Sequence, residues 1–252
     1  MFSTTTIGCE KILMSIAENL KKVNERIASA AKRSGRDPSA VTLVAVTKTV
    51  DVQRVREAVA AGALVLGENR VQEAREKVEA IGPVARWHLI GHLQTNKAKY
   101  AVRLFQLIHS VDTIELAREI DKQAAKFGKV QDILIEVNIA GEASKAGMAV
   151  KDAPSLVREA ARLEHIAIQG LMTMPPYSEN PEESRPYFCV LRELSKSITK
   201  ENISNVSMKV LSMGMSGDFE VAIEEGATMV RVGTAIFGER DAGKEKGTSE
   251  SG

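Results

Sequence analysis

The stretch Thr42-Leu-Val-Ala-Val-Thr-Lys48 decides the fold, because it shows the pattern that the rest of the chain repeats. It is a short apolar run rich in valine, which is typical of a strand buried on both faces of a parallel sheet. It ends in a lysine. Similar runs follow at residues 64–67, 88–91, 107–110, 133–138, 166–172, 209–212 and 229–232. The chain is therefore predicted to contain eight short buried strands.

Amphipathic patterns lie between most of these runs and predict helices. Asp51 and Asp112 each precede such a pattern, and each carboxylate is predicted to cap a helix by accepting a backbone N–H of the first turn. Eight strands with intervening helices favour an α/β fold with a single (β/α)8 TIM barrel over an open doubly wound sheet. An open sheet normally uses fewer strands, and no G-x-G-x-x-G turn follows the first strand here.

The predicted organisation is one domain over residues 1–240. Residues 10–34 are predicted to form an extra amphipathic helix that covers the bottom or the side of the barrel. Residues 241–252 are polar and nearly without apolar side chains, so we expect a disordered tail. We expect no second domain after the barrel.

Length and composition exclude several classes of protein. A chain of 252 residues can bury a full core in one domain. Its net charge is +1 with acids and bases mixed, so no nucleic-acid partner is expected. It has no run of 18 apolar residues and no secretory signal pattern, so no membrane association is expected. The two cysteines, Cys9 and Cys189, are expected to be reduced thiols in a cytoplasmic protein.

Lys48 is the first candidate for chemistry. Barrel enzymes place reactive groups at the carboxyl ends of their strands, and Lys48 ends the first strand. Partial burial lowers the pKa of a lysine and yields the neutral amine that attacks an aldehyde to form a Schiff base. The alternative is a solvated loop lysine with Asp51 as an ion partner.

Two glycine-rich turns are predicted to bind a phosphate. Ser212-Met-Gly-Met-Ser-Gly-Asp218 follows the seventh strand, and Arg231-Val-Gly-Thr234 closes the eighth, where barrels commonly build phosphate sites. Serine hydroxyls and backbone N–H groups at a helix start attract anions, and glycine allows close approach. The alternative is an ordinary serine cap and a tight turn. A lysine amine that faces a phosphate site suits an aldehyde-bearing phosphate, above all pyridoxal 5'-phosphate (PLP).

Further residues could contact such a cofactor. Arg231 could donate a hydrogen bond to the pyridine nitrogen, or it could form a salt bridge with Glu224 or Glu225. Asn69 could approach the ring, or it could cap a helix with Gln72 completing a capping box. His88 could contact the cofactor or be a hydrogen-bonded core residue. Four methionines are expected mainly to pack, although they lie where a ring could rest: Met172, Met174, Met213 and Met215.

Metal and nucleic-acid chemistry find no support in the motifs. The four histidines show no metal-ligand spacing, so no metal is predicted. The aromatic residues are too few and too scattered for a base-stacking platform.

Together these segments resemble the PLP homeostasis proteins, also called the YggS-type family, from about residue 12 to residue 240. The motifs that carry the resemblance are Val44-Ala-Val-Thr-Lys48, Gly67-Glu-Asn69, Val71-Gln-Glu73, Trp87-His-Leu-Ile-Gly-His-Leu-Gln-Thr-Asn-Lys97, Val137-Asn138, Ser144-Lys-Ala-Gly147, Gly170-Leu-Met-Thr-Met174, Leu211-Ser-Met-Gly-Met-Ser-Gly-Asp218 and Arg231-Val-Gly-Thr234.

The resemblance implies a barrel like the amino-terminal domain of alanine racemase, with PLP held on Lys48. It implies that Arg231 faces the pyridine nitrogen, and that Lys145 is a second lysine with a possible part in PLP exchange. The cofactor-binding residues expected from the turns and from the resemblance together are Lys48, Asn69, His88, Met172, Ser212, Met215, Ser216, Gly217, Arg231, Gly233 and Thr234, among which the resemblance assigns the phosphate to Ser212, Ser216, Gly233 and Thr234.

Three functions remain open at this point. The resemblance implies a PLP-holding protein that maintains vitamin B6 and amino- and keto-acid pools. We expect it to turn over little substrate itself and to hand PLP to recipient apo-enzymes. A monomer is expected because nothing in the sequence demands an oligomer. An amino-acid racemase needs an acid–base group on each face of the substrate Cα. Of the three tyrosines, Tyr100, Tyr177 and Tyr187, only Tyr177 follows a strand closely enough to reach the rim. A Schiff-base aldolase would share the lysine and the phosphate site, but it usually carries the lysine on a later strand.

Overall fold

Eight parallel strands close into a barrel in the computed structural model, which describes residues 15–142 and 145–239. Within the described residues the order around the barrel is β1-β2-β3-β4-β5-β7-β8-β9, with β9 paired back to β1. A two-residue strand, β6, pairs with the carboxyl end of β5 outside this ring. The strands are β1 Thr42–Val46, β2 Val65–Glu68, β3 Arg86–Leu89, β4 Leu107–Val111, β5 Gln131–Asn138, β6 Met148–Ala149, β7 Ile166–Met172, β8 Val206–Ser212 and β9 Met229–Val232.

Helices surround the barrel and bury their apolar faces against the outside of the strands. They are α1 Ile16–Arg33, α2 Val52–Ala60, α3 Val71–Ile81, α4 Ala98–Leu104, α5 Ile114–Lys126, α6 Ala153–Ala160, α7 Arg185–Lys200, α8 Phe219–Glu224 and α9 Thr234–Phe237. No helix in these described parts of the chain is long and apolar enough to cross a membrane.

The predicted (β/α)8 barrel is confirmed, and the eight predicted strands are all present with small changes at their ends. The largest changes add charged or polar residues that do not look like strand interiors. Glu68 belongs to β2, Arg86 begins β3, and β8 begins at Val206 rather than at residue 209. Backbone pairing defines a strand and continues past the apolar run, so hydrophobicity alone misplaces the strand ends.

One of the two predicted helix caps is confirmed. Asp51 accepts the Arg54 N–H at 3.0 Å and caps α2. The prediction for Asp112 was wrong, because the cap of α5 is Thr113, whose hydroxyl accepts the Leu116 N–H. Asp112 instead accepts the Gly147 N–H at 3.2 Å. The Thr113 hydroxyl therefore caps α5, and the Asp112 carboxylate binds a loop that is distant in the sequence.

The additional helix α1 lies on the side of the barrel, against α2, α8 and α9. Ser15 and Glu18 form a capping box at its start. The predicted first residues of this helix, 10–14, and the predicted tail, 241–252, lie outside the described residues.

Two separate apolar clusters make up the core. The larger one fills the space between barrel and helices, and the smaller one fills the inside of the barrel. The inner cluster consists of Val44, Val46, Val65, Ile90, Leu107, Leu134, Met172 and Met229. The register puts five polar residues on the same inward side: His88, His109, Glu136, Ser212 and Arg231. The upper inside of the barrel is therefore polar, although it is buried.

Candidate functional site

A cavity of about 1070 Å³ opens at the carboxyl ends of the strands. Tyr177, the tyrosine predicted to reach the rim, lines this cavity, and 88% of the residue is exposed. Eight of the eleven predicted site residues line this cavity: Lys48, Asn69, Met215, Ser216, Gly217, Arg231, Gly233 and Thr234. The structure therefore brings together the lysine, both turns and the arginine.

Lys48 lies on the inward side of the barrel, because it continues the alternation of Val44 and Val46. The chain turns directly after it. Thr49 has a φ of +62°, a left-handed conformation that is unusual for a β-branched residue. The Thr49 backbone N–H donates to Glu73 Oε1 of α3 at 2.5 Å.

Beside this turn lies a largely buried ionic network, between the barrel and α3, and two of its residues, Glu73 and Lys77, also line the cavity. Lys77 Nζ donates to the Thr47 carbonyl at 2.5 Å, to Glu68 Oε1 at 2.8 Å and to Glu73 Oε1 at 2.6 Å. The Thr47 hydroxyl also donates to Glu68 Oε1, at 2.5 Å. Only 4% of Lys77 is exposed. One lysine therefore pairs with two carboxylates and holds the backbone next to Lys48.

The Glu68 carboxylate is the fully buried acid of this network. Burial raises the pKa of Glu68, while the charge of Lys77 opposes that rise. Glu68 Oε2 is buried and accepts no hydrogen bond from any described residue. The carboxylate is thus stabilised through one oxygen only.

The glycine-rich turns form the wall next to Lys48. Ser216 Oγ accepts the N–H groups of Gly233 and Ala235 at 3.3 and 3.4 Å, so it joins the two turns. Gly214 has a φ of +91°, and a Cβ there would lie 2.6 Å from Ala222 Cβ, so the first turn requires glycine. A Cβ at Gly217 would meet no atom within 4 Å, which leaves its backbone bordering open space.

Arg231 forms part of the cavity floor, and only 3% of it is exposed. It donates to Ser212 Oγ at 2.6 Å and to the Thr173 carbonyl at 2.9 Å. Burial lowers the pKa of Arg231 to about 10, and the charges of Glu136 and Asp218 oppose this. The alternative salt bridge to Glu224 or Glu225 is not formed.

Those two carboxylates bind other arginines on the outer surface. Glu224 accepts from Arg33 and Arg185, and Glu225 accepts from Arg185 and Arg192. Arg231 therefore contacts Ser212 and Thr173 at the floor of the cavity instead of these carboxylates.

Two histidines continue the floor across the inside of the barrel. His109 Nδ1 lies 3.0 Å from Ser212 Oγ, and His109 Nε2 lies 3.1 Å from His88 Nδ1. Burial lowers the pKa of His88 to about 3 and the pKa of His109 well below its usual value. Both rings are therefore neutral. Since Arg231 can only donate, Ser212 accepts from it and has its own hydrogen for His109 Nδ1.

Glu136 is a further buried carboxyl on this inner side, beside Met172 in the sheet. Burial raises its pKa to about 7, repulsion from Asp112 adds to the rise, and the charge of Arg231 reduces it. The floor thus contains a carboxyl that changes charge near neutral pH.

Three predicted site residues lie beneath the cavity instead of lining it: His88, Met172 and Ser212. For His88 the alternative of a hydrogen-bonded core histidine holds. Ser212 is fully buried against Arg231 and His109, so its hydroxyl does not face the wall formed by Ser216. The helix cap considered for Asn69 was wrong, since Arg70 precedes α3 and no side chain caps it.

The prediction missed several residues around the site: Thr49, Glu73, Lys77, His109, Glu136 and Thr173. His109 and Glu136 could have been found, because they stand two residues from apolar positions on predicted strands and so share the inward face. Lys77 offered no such signal, because a lysine on an amphipathic helix is normally solvated. Among residues 15–142 and 145–239, no group of three or more His, Cys, Asp or Glu side chains could hold a metal ion.

Comparison with known proteins gives the class first. The family described as "Alanine racemase, N-terminal domain" matches residues 15–241. An alanine racemase of Clostridium difficile has the same barrel, with a TM-score of 0.70 at 14% identity over 90% of this chain. This chain covers 58% of that racemase, and at this identity the likeness concerns the fold alone.

Sequence relatives then give the particular family. A pyridoxal phosphate homeostasis protein of Aquifex aeolicus is 50% identical over 228 residues, which cover 90% of this chain and 99% of that protein. A protein of the same name from Pseudomonas aeruginosa is 41% identical, with 92% and 98% covered. The chain belongs to the family of pyridoxal phosphate homeostasis proteins.

A solved structure supports the same relationship. PipY of Synechococcus elongatus, determined with PLP bound, matches with a TM-score of 0.77 at 36% identity, covering 89% of this chain and all of PipY. Its structure without PLP matches with a TM-score of 0.78.

Proposed function

We propose that this protein binds PLP through Lys48 and holds it for the maintenance of vitamin B6 and of amino- and keto-acid pools. The observation that carries the proposal is that Lys48, the wall containing Ser216, Gly233 and Thr234, and Arg231 line one cavity. The PLP bound to PipY supports the same reading.

The residues present fit this cofactor. The backbone at Gly217 borders open space beside the N–H groups that Ser216 bridges, which suits a group with several acceptor oxygens. When bound, PLP supplies an aldehyde carbon to which a neutral lysine amine bonds while the aldehyde oxygen leaves as water. Lys48 would provide that amine, and Asn69 and Met215, which line the same cavity, would lie beside the ring.

Arg231 acts as an orienting donor. It is charged at neutral pH and has no acceptor atoms, so toward a pyridine nitrogen it can only donate a hydrogen bond. Its own position is set by Ser212 and the Thr173 carbonyl. We therefore move Ser212 from the phosphate set to the support of Arg231, and we assign the phosphate to Ser216, Gly217, Gly233 and Thr234.

We propose little or no turnover. A racemase requires a second acid–base group opposite the lysine. Tyr177 is the tyrosine among the three that lines the cavity, and it is largely exposed. We further propose a cytoplasmic monomer that passes PLP to recipient apo-enzymes by exchange of one amine for another, with Lys145 as a candidate participant.

The test is borohydride reduction of the PLP-loaded protein followed by peptide mapping. We expect a reduced adduct on Lys48, and no interconversion of D- and L-alanine or serine by the same sample. Lys48→Ala should abolish the adduct but retain part of the phosphate-driven affinity, whereas Lys200→Ala, an exposed control at the end of α7, should behave as the wild type. An adduct of unchanged yield in Lys48→Ala would overturn the assignment, and rapid interconversion would make the protein a racemase.

A further inference from the structure

Helix α3 holds both peptide groups that flank Lys48. The carbonyl of Thr47 belongs to the peptide before Lys48 and accepts from Lys77 Nζ. The N–H of Thr49 belongs to the peptide after Lys48 and donates to Glu73 Oε1. Two side chains one helical turn apart therefore fix the backbone on either side of Lys48, which lines the cavity.

These contacts form one connected unit. Lys77 and Glu73 bind each other at 2.6 Å, and Lys77 also binds Glu68 at 2.8 Å. The Thr47 N–H donates to the Gly67 carbonyl at 2.9 Å, which joins the turn to β2. Motion of the turn would break several charge-assisted hydrogen bonds together, and such bonds are about twice as strong as neutral ones.

The turn needs this support, because its conformation is unfavourable in isolation. Thr49 is β-branched and left-handed, with a φ of +62°. Residues in such conformations persist only where their surroundings hold them, and they concentrate at functional sites. Without Glu73 the Thr49 backbone is expected to relax, and the Lys48 Cα would move with it.

Packing alone does not explain the charged residues. Lys77 lies on the buried face of α3 with Val71 and Ala74, where an apolar residue would normally stand. A buried ion pair seldom stabilises a fold more than apolar side chains of the same volume do. The ionic network lies against the Lys48 turn, so it can hold the conformation of that turn in addition to its contribution to packing.

The structure assigns Glu73 and Lys77 as positioning residues that hold the Lys48 turn and so direct its amine into the cavity. This inference rests on the proposed function, since it concerns the amine that would bond to PLP. Both residues line the cavity, but this role acts through the backbone of the turn and requires no contact with the cofactor. The role predicts that the covalent step and the phosphate-driven step respond differently to substitution.

The experiment compares two ligands on the full-length protein. PLP forms the covalent adduct, whereas pyridoxine 5'-phosphate lacks the aldehyde and reports non-covalent binding only. In Glu73→Ala and Lys77→Met we expect the rate of adduct formation to fall about 10-fold or more, because a charged hydrogen-bond partner is lost. The Kd for pyridoxine 5'-phosphate should change less than about 3-fold, since the wall containing Ser216 is untouched.

Matched variants separate positioning from folding. Glu73→Gln keeps an acceptor for the Thr49 N–H and should lose less of the rate than Glu73→Ala. Thr49→Gly accepts the left-handed conformation without strain and should restore part of the rate in the Glu73→Ala background. Glu79→Ala, an exposed residue on the same helix, should match the wild type. If Lys77→Met does not fold, Glu73→Gln and the Thr49→Gly pair still decide the question.

Three outcomes overturn the inference. Wild-type rates of adduct formation in Glu73→Ala and Lys77→Met would refute it and leave the proposed function intact. An equal loss in adduct formation and in pyridoxine 5'-phosphate affinity would also refute it, because the network would then have a structural role only. If the wild type itself forms no adduct on Lys48, the proposed function fails and the positioning role fails with it.

Discussion

Two buried polar regions lie beside the cavity, and their polar side chains are stabilised differently: by ion pairs in one region and by hydrogen bonds between neutral groups in the other. Behind Lys48, between the barrel and α3, the polar groups are charged and paired: Lys77 with Glu68 and Glu73. Beneath Arg231, inside the barrel, the histidines are neutral and joined by hydrogen bonds. A helix can bring an opposite charge to the outside of a strand, whereas the inside is reached only by inward strand residues. Burial shifts pKa values in both regions, but behind Lys48 the charge of Lys77 opposes the rise at Glu68, whereas the two histidines have no opposite charge among the causes of their shifts.

The largest expected effect comes from breaking the charged region. Lys77→Met leaves Glu68 and Glu73 without their cation, and we expect a loss of roughly 3–5 kcal/mol in the free energy of unfolding. The double variant Lys77→Met/Glu68→Gln should recover part of this loss, because the remaining buried group is then neutral. Urea denaturation of the three proteins measures the difference. Equal stability of Lys77→Met and wild type would show that the carboxylates already exist in a protonated or solvated form.

The next largest effect is expected at Glu136, the buried carboxyl of the region inside the barrel. Its folded pKa of about 7 is raised above that of the unfolded chain. The folded state therefore binds the extra proton, and stability falls as pH rises from about 4.5 to about 7. Glu136→Gln cannot ionise, so at pH 8 it should be more stable than the wild type by up to about 3 kcal/mol and at pH 4 nearly equal. Parallel stability curves against pH would show that Arg231 keeps the carboxylate ionised.

A smaller effect of opposite sign is expected from the histidines. The pKa of His88 in the folded state, about 3, is lower than its usual value of 6.5. Its contribution to stability is complete above pH 6.5 and is lost as pH falls from 6.5 toward 3. At pH 5 this amounts to about 2 kcal/mol for His88. His88→Gln should flatten the acid side of the stability curve measured by thermal or urea unfolding, while an unchanged slope would mean that His88 is protonated in the native state.

Much of this architecture could be predicted from the sequence. The apolar runs located all eight barrel strands, because a strand buried on both faces must be almost entirely apolar. The same reasoning placed Lys48 and the turns around Ser216 and Gly233 at one rim, since parallel strands end on the same side. These features depend on residues close together in the chain and on a general rule of barrel closure.

The errors concern residues whose partners are distant in the chain. Ser212 and Ser216 look equivalent in the sequence, yet one hydroxyl supports Arg231 inside the barrel and the other bridges the turns. Asp112 looked like a helix cap and instead binds the loop at Gly147. Which partner wins depends on distances that only the folded barrel defines.

The sequence by itself determined the barrel and placed Lys48 and the two glycine-rich turns at one rim, because periodicity and local turn chemistry act over a few residues. Tertiary structure alone decided how the buried polar groups are satisfied: Lys77 against the Lys48 turn, and the two histidines beneath Arg231. Burial makes every polar group there require a partner, and closure of the barrel sets which partner lies within hydrogen-bond distance.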